Sequence, residues 1–499
     1  MNQVAPYRPA GSLQTSTALA PYAGAWNSRL AAHLLRRAGF GGGPADVVRY
    51  ARLSMNQAVD ALIRFPSTAH LPDRPAGLPA AADFFAALAQ RRMARAGAAG
   101  ATPSADEIAA AKMDFARLRR ASNVGLQSWW LQRMLITDAP LQEKLTLFWH
   151  GHFTSALFEK GITPEEALNQ NWLFRRNALG NIRSLTLAVA QDPAMLKYLD
   201  NRVNVKAHPN ENFSRELMEL YTLGHGNYTE EDVRQSARAF TGWTLRRPRM
   251  GGGFVDNVAQ HDDGAKTFLG RTGVFNGADI INIIFEQPAA PRWFAYKLLT
   301  NFVYSDPEPE LIDGVAALIK RHDFELAPVM SALLRSNVFY STRAYRALVK
   351  SPIEYVIGTH QLYGVRELPV ETLGALYRMD QVPFHPPNVK GWGSGAYWLN
   401  SQTVLARENF ANAIVNAGGS MAADSWLTAG GPGDPVQTAH RLIAAIVQGD
   451  ASPASLAKLQ AYLAGAGVSA NARLSPENYP ERIRGAAYLT MAMPAYQLS

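Results

Sequence analysis

Apolar residues recur three and four apart along most of the chain, the period of helices packed on one side. Leu30, His33, Leu34 and Arg37 open this pattern after Trp26, and Gly39 marks the expected stop. Helical spacing dominates from Asn123 to about Phe240, resumes from Ile280 to Tyr377, and returns at Val436. Glycines 251–253, 264, 270, 273 and 277 punctuate short runs such as Thr267-Phe268-Leu269. Residues 251–277 therefore read as a small β-hairpin or loop insertion. Residues 1–25 lack any period and read as a flexible N-terminal arm. An Ala- and Arg-rich stretch at 85–120 predicts an inserted helical hairpin, and 417–435 predicts a flexible loop. Phe40-Gly41-Gly42-Gly43-Pro44 resembles a phosphate loop only superficially, because no Gly-Lys-Ser/Thr follows; a helix C-cap and turn accounts for it. The expectation is a mainly α protein, with one large multi-helix domain over 26–499.

Composition narrows the chemistry. A chain of 499 residues admits several domains, but no linker isolates an independent core. The absence of cysteine excludes disulfides, iron–sulfur clusters, haem-thiolate ligation and cysteine nucleophiles. Any metal site must then be built from the 11 histidines and the carboxylates. The net charge of +8 arises from 49 basic and 41 acidic residues, interleaved as in Arg175-Arg176 and Arg246-Arg247. No basic face or tail emerges, so no nucleic-acid partner is expected. No apolar run is long enough for a transmembrane helix. Residues 1–26 lack a basic segment followed by an apolar one, so the expectation is a cytoplasmic protein, or an exported one whose signal has been removed.

Four blocks carry candidate chemistry. The densest is Asn212-Phe-Ser-Arg-Glu-Leu-Met-Glu-Leu-Tyr-Thr-Leu-Gly224. At about 100° per residue its apolar side chains cover more than half a helix, leaving Asn212, Arg215, Glu216 and Glu219 on a narrow polar stripe. A solvated stripe with an Arg215–Glu219 pair is one reading. The other is a cleft-facing stripe whose carboxylates serve as acid, base or metal ligand. The second block is Phe148-Trp-His150-Gly-His152-Phe153. On a helix these histidines point about 200° apart, and His152 continues the apolar face of Leu141, Leu145 and Phe148. They are either buried histidines or ligands reunited by a helix end at Gly151. The third is His261-Asp262-Asp263-Gly264-Ala-Lys266, a polar loop or simply an Asx turn. The fourth is the His385-to-Asn400 loop, where Trp392 and Trp398 stand near Asn388 and Lys390. Flat rings edged with amides suit sugars, and they also close cores.

Together and in this order, these blocks resemble the large bacterial family named domain of unknown function 1800. Leu34-Leu-Arg-Arg-Ala-Gly-Phe-Gly41, Tyr228-Thr-Glu-Glu-Asp-Val233, Thr241-Gly-Trp243, Lys266-Thr-Phe-Leu-Gly270, Pro386-Pro-Asn-Val-Lys-Gly-Trp392 and Pro494-Ala-Tyr-Gln-Leu498 also match. The family name records no activity. The resemblance implies an exported role and a partner similar to alkaline phosphatases and sulfatases, encoded beside the family member. The chain departs from it by lacking an evident export signal.

The leading expectation is an enzyme that hydrolyses a carbohydrate or other polyhydroxylated substrate. Glu216, Glu219, His150, Asp262 and Arg215 are its candidate catalytic residues. Asn212, Lys266, Asn388, Lys390, Trp392 and Trp398 are its candidate substrate contacts. Glu216 and Glu219 lie too close together to flank a glycosidic bond, so one of them would pair with Asp262. A second expectation is a divalent-metal enzyme (Zn, Mn or Fe) using His150, His152, His261 and Glu216, although the chain lacks the strong metal-binding spacings. A third is a non-enzymatic helical scaffold for an exported partner.

Overall fold

Most helices begin where a short polar side chain can take up free backbone N–H groups. Ser104, Thr163, Thr229, Asn276, Ser351 and Asn400 each build a capping box with the residue three positions on. Proline at the first position supports Pro140–His152, Pro164–Arg176 and Pro352–Leu362. The protein is accordingly mainly α. This computed structural model describes residues 15–65, 73–78, 104–246, 253–417, 434–465 and 478–499, with scattered positions from 83 to 93. The 1–14 part of the expected arm, most of 85–103 and the 418–433 part of the expected loop lie outside the described residues.

The chain does not break near Asn123. Ala105–Ile136 is one 32-residue helix. What changes there is burial: positions before Ser122 are mostly exposed, whereas Leu126, Trp130, Leu131 and Met134 are buried. The described part of the N-terminal segment is pinned. Tyr22 N–H donates to Arg335 O at 2.7 Å, and Asn337 N–H to Ala20 O at 2.9 Å.

Among the described residues the strands form two antiparallel pairs. β1 (Trp243–Leu245) pairs with β2 (Phe254–Asp256), so the insertion starts before residue 251. β3 (Lys266–Phe268) pairs with β4 (Arg271–Gly273) around Leu269-Gly270, both at positive φ, as a two-residue hairpin turn requires. Buried side chains form two large clusters. The first draws on helices from Ser28–Arg37 to Leu326–Arg335. The second joins the later half of Ala105–Ile136 to helices from Pro352–Leu362 to Tyr479–Met491. Helix Pro140–His152 serves both, giving Leu141, Leu145 and Trp149 to the first and Leu147 to the second. Among the described residues no helix is long and apolar enough to cross a membrane.

Candidate functional site

Helix Pro140–His152 is fixed by its own first turn. Glu143 is fully buried and accepts Arg175 Nε at 2.9 Å, Arg175 Nη2 at 2.8 Å and the Trp130 indole N–H at 3.1 Å. A two-pronged guanidinium on a buried carboxylate fixes orientation as well as charge. One face of the helix then presents Lys144, Leu147, Phe148, Gly151 and His152, three and four apart, to a cleft of about 230 Å³. Lys297, Thr300 and Asn301 of helix Ala289–Phe302 add a second wall. Glu354 of helix Pro352–Leu362 and Ser351, which caps that helix, add a third with Gln381. Lys390, Trp392 and Trp398 complete the lining, so the cleft lies where the two cores meet.

Two glycines let the aromatic loop reach this helix. Gly391 has φ +81° and crosses so near Gly151 that any Cβ would fall inside the radius of Gly151 O. A Cβ on Gly151 would in turn touch the Trp392 ring at 3.6 Å. Asn388 shapes the bend: its Oδ1 accepts Lys390 N–H at 2.9 Å, and its carbonyl accepts Gly391 N–H at 3.1 Å. Asn388 therefore holds the turn and does not line the cleft. Trp398 is buried beneath it, while Trp392 is half-buried with its indole N–H lacking a partner.

The cleft is rich in cations for a chain with 11 lysines, since Lys144, Lys297 and Lys390 all line it. Lys144 is buried and in contact with the Glu354 carboxylate. Burial and then the charge of Arg37 pull its ammonium down to about 7. Burial also lowers Lys297. The second oxygen of Glu354 accepts Ser351 N–H at 2.6 Å. His152 Nε2 lies 2.9 Å from Tyr221 O, which can only accept, so this nitrogen carries the proton. Burial first and Lys297 second hold His152 down at about 3. His150 points away from the cleft. Its ring packs 5.4 Å from both Trp130 and Trp392, Nε2 is unpartnered, and burial, then His385, lowers it to about 3.

The 212–224 block departs from a regular helix. Asn212–Glu216 is α, but Leu217–Thr222 is a π turn, with Leu223 N–H donating to Met218 O at 2.9 Å. That change of period re-phases every side chain after Glu216, so Glu219 does not sit where a uniform wheel puts it. Arg215 pairs with Glu211 and Glu230 instead of Glu219. Glu219 accepts Tyr228 O–H at 3.2 Å. Asn212 Nδ2 donates to Leu199 O at 3.2 Å, a structural contact. Burial and then Glu219 raise the Glu216 carboxyl, while Lys390 of the cleft loop lowers it. Glu216 and Glu219 do not line the cleft; the block is linked to it by the Tyr221 O contact with His152 and by the charge of Lys390 on Glu216.

The His261 block satisfies itself. Asp262 takes Arg238 Nε at 2.7 Å and Nη2 at 3.1 Å, which holds its carboxyl below the usual range. Its N–H donates to Thr241 Oγ1 at 2.8 Å. Lys266 is 1% exposed and donates to the carbonyls of Asp262 and Gly264. His261 Nδ1 lies 2.9 Å from Thr241 O. None of the three lines the cleft. The expected set His150, His152, His261 and Glu216 is therefore not assembled, because each histidine is aimed at a different neighbour. Among the described residues no group of three His, Asp or Glu is placed to hold a metal ion.

The structure adds cleft residues that sequence reasoning passed over: Lys144, Lys297, Glu354 and Gln381. Lys144 was visible in principle, since it precedes Phe148 and His152 by four and eight positions on one helix face. Lys297, Glu354 and Gln381 had no local signal. A helical chain of two cores with a lysine- and tryptophan-lined cleft between them is what this fold and site define. The family model described as a protein of unknown function, DUF1800, matches residues 33–498, and the chain belongs to that family. No curated protein and no solved structure matches it.

Proposed function

We propose that the cleft holds a carbohydrate or other polyhydroxylated substrate, which the chain hydrolyses by carboxylate acid–base chemistry. The convergence of Trp392, Trp398, three lysines, Ser351, Asn301 and Gln381 on one concavity carries this reading. An aromatic face stacks on a sugar ring, and the polar groups around it match hydroxyls. Two carboxyls in opposed environments support the chemistry. Burial and Glu219 raise Glu216, which suits a general acid, while Glu354 lines the cleft in contact with Lys144, a setting that suits a base or charge stabiliser. Glu354 replaces Asp262 as partner, because Arg238 occupies Asp262. The dispersed donors leave the metal reading without comparable support, and no observation on the described surface favours the scaffold reading.

The test is hydrolysis of a glycan panel by the wild type, Glu216→Gln and Glu354→Gln. The expected result is turnover of at least one glycan by the wild type and a loss of about 100-fold or more in each variant per folded molecule. An inactive wild type, or variants with full activity, overturns the proposal.

A further inference from the structure

A second concavity, apart from the cleft, gathers positive charge around the Gly41-Gly42-Gly43 loop. Arg36, Arg346 and Lys350 line it, and none of the three is more than 8% exposed at the side chain or residue level. The space is about 40 Å³, room for one small anion and far too little for a nucleotide.

The charges here are poorly matched. Arg36 donates through Nη1 to Gln448 Oε1, but its buried Nε and Nη2 have no hydrogen-bond partner among the described residues. Lys350 is 8% exposed and sits 4.0 Å from the Tyr496 ring, and no carboxylate pairs with it among the described residues. Asp450 is the acid at this end, and it is already taken: Oδ1 by Arg29, Oδ2 by Arg346 Nε at 2.6 Å and by Tyr345 O–H at 2.5 Å. Asp46, beside the glycine loop, is held by Gly43 N–H at 3.0 Å and Arg49 at 2.7 Å. Burial first, then Arg346, pulls the Arg36 guanidinium down to about 10 against the weaker raising effects of Tyr345 and Asp450, and burial with Arg346 and Arg36 lowers Lys350. Three buried cations that share one carboxylate, itself also paired with Arg29, are costly unless something more neutralises them.

The glycines contribute shape and not ligands. Gly42 N–H donates to Gln361 Oε1 at 2.9 Å, so with Gly43 on Asp46 two of the loop amides are occupied. The loop packs so tightly on helix Pro352–Leu362 that a Cβ on Gly358 would collide with Phe40 O. It forms a wall of the space that Arg36, with two free N–H groups, and Lys350, without a carboxylate partner, also line. Arginine and lysine together suit a tetrahedral oxyanion, with the guanidinium fork binding two oxygens and the ammonium a third.

We propose that this groove is a binding site for a single oxyanion group of the phosphate or sulfate type, held by Arg36 and Lys350 with Arg346 behind them. The site is independent of the proposed cleft chemistry.

The experiment is calorimetric titration and thermal unfolding of the full chain with inorganic phosphate, inorganic sulfate and phenyl phosphate, against chloride at equal ionic strength. The expected result is saturable binding and a raised Tm with at least one oxyanion. Binding of the free anions but not phenyl phosphate identifies a site for a free ion; equal binding of phenyl phosphate identifies one for an anionic group on a larger molecule. Both support the proposal. Arg36→Met and Lys350→Met should each weaken binding by about tenfold or more. Arg36→Met should also keep or raise the Tm in chloride, since it removes a buried unpaired charge. Absence of any oxyanion-specific binding, or an undiminished effect in both variants, overturns it.

Discussion

Two polar loops of this chain, each with a lysine close to a glycine, end in opposite circumstances. In the 261–266 loop, Asp262 is spent on Arg238, Lys266 on two carbonyls and His261 on Thr241 O. In the 388–398 loop, Asn388 and Gly391 do the structural work, leaving Lys390 exposed and the Trp392 indole N–H unpartnered beside a cleft. A lysine close to a glycine occurs in both and does not separate these cases. What separates them is whether the surrounding backbone has already satisfied the side chains. The first loop is a knot that stabilises the end of helix Glu230–Ala239; the second is a platform.

The largest expected effect is on the platform's foundation. Gly391→Ala forces a Cβ into Gly151 O at a positive φ, so a loss of about 3 kcal/mol in stability, or displacement of the loop with loss of ligand binding, is expected. Chemical denaturation and tryptophan fluorescence read both. If Gly391→Ala is neutral, the crossing of loop and helix is not what holds the platform.

Acid should affect the cleft side next. His150 and His152 are held near 3 by burial, against about 6.5 when unfolded, so the unfolded chain binds more protons between those values. Stability is then lost as pH falls from about 6.5 toward 3, by about 1.4 kcal/mol per histidine at pH 5.5. Hydrogen exchange at pH 7 and 5.5 should show helix Pro140–His152 losing protection first. Asp262 loses stability in the same direction but in a lower window, since its lowered carboxyl contributes stability that is present above about 4 and disappears only below it. Equal loss at pH 5.5 in both regions would break the contrast.

A smaller effect separates the knot from the platform by mutation. Asp262→Asn removes a charged partner from a partly buried Arg238, so about 1–2 kcal/mol of stability should go without change in ligand binding. Lys390→Met, at an exposed position, should change stability by less than about 0.5 kcal/mol while weakening ligand binding. Tm and binding measured on both variants check the pair; a reversal of the two outcomes would invert the assignment.

Much of the fold was legible because capping signals and period are local. Ser104 with Glu107 and Thr229 with Asp232 start helices where such boxes predict, and Ala38 closes the Ser28–Arg37 helix just before Gly39. The π turn at Leu217–Thr222 was not legible, because a uniform 100° step assumes the hydrogen-bond pattern it is meant to reveal. The long helix through Asn123 misled for a related reason. Its exposed first half lacks an apolar stripe, and only the capping box at Ser104 and the continuity of its backbone bonds mark it as one element. The cleft was half legible. Trp392 and Lys390 stood out by composition, but Lys297 and Glu354 are brought to them by tertiary packing, which no local pattern encodes. The 261–266 loop drew notice for its acid, base and lysine, and those same residues proved to satisfy one another.

The most direct test of the central claim is binding to a glycan array by the wild type, Trp392→Leu and Lys266→Met at equal folded concentration. The account predicts that the wild type and Lys266→Met bind the same glycans equally, while Trp392→Leu loses them. Retained binding in Trp392→Leu with loss in Lys266→Met, or no binding by the wild type, would contradict it.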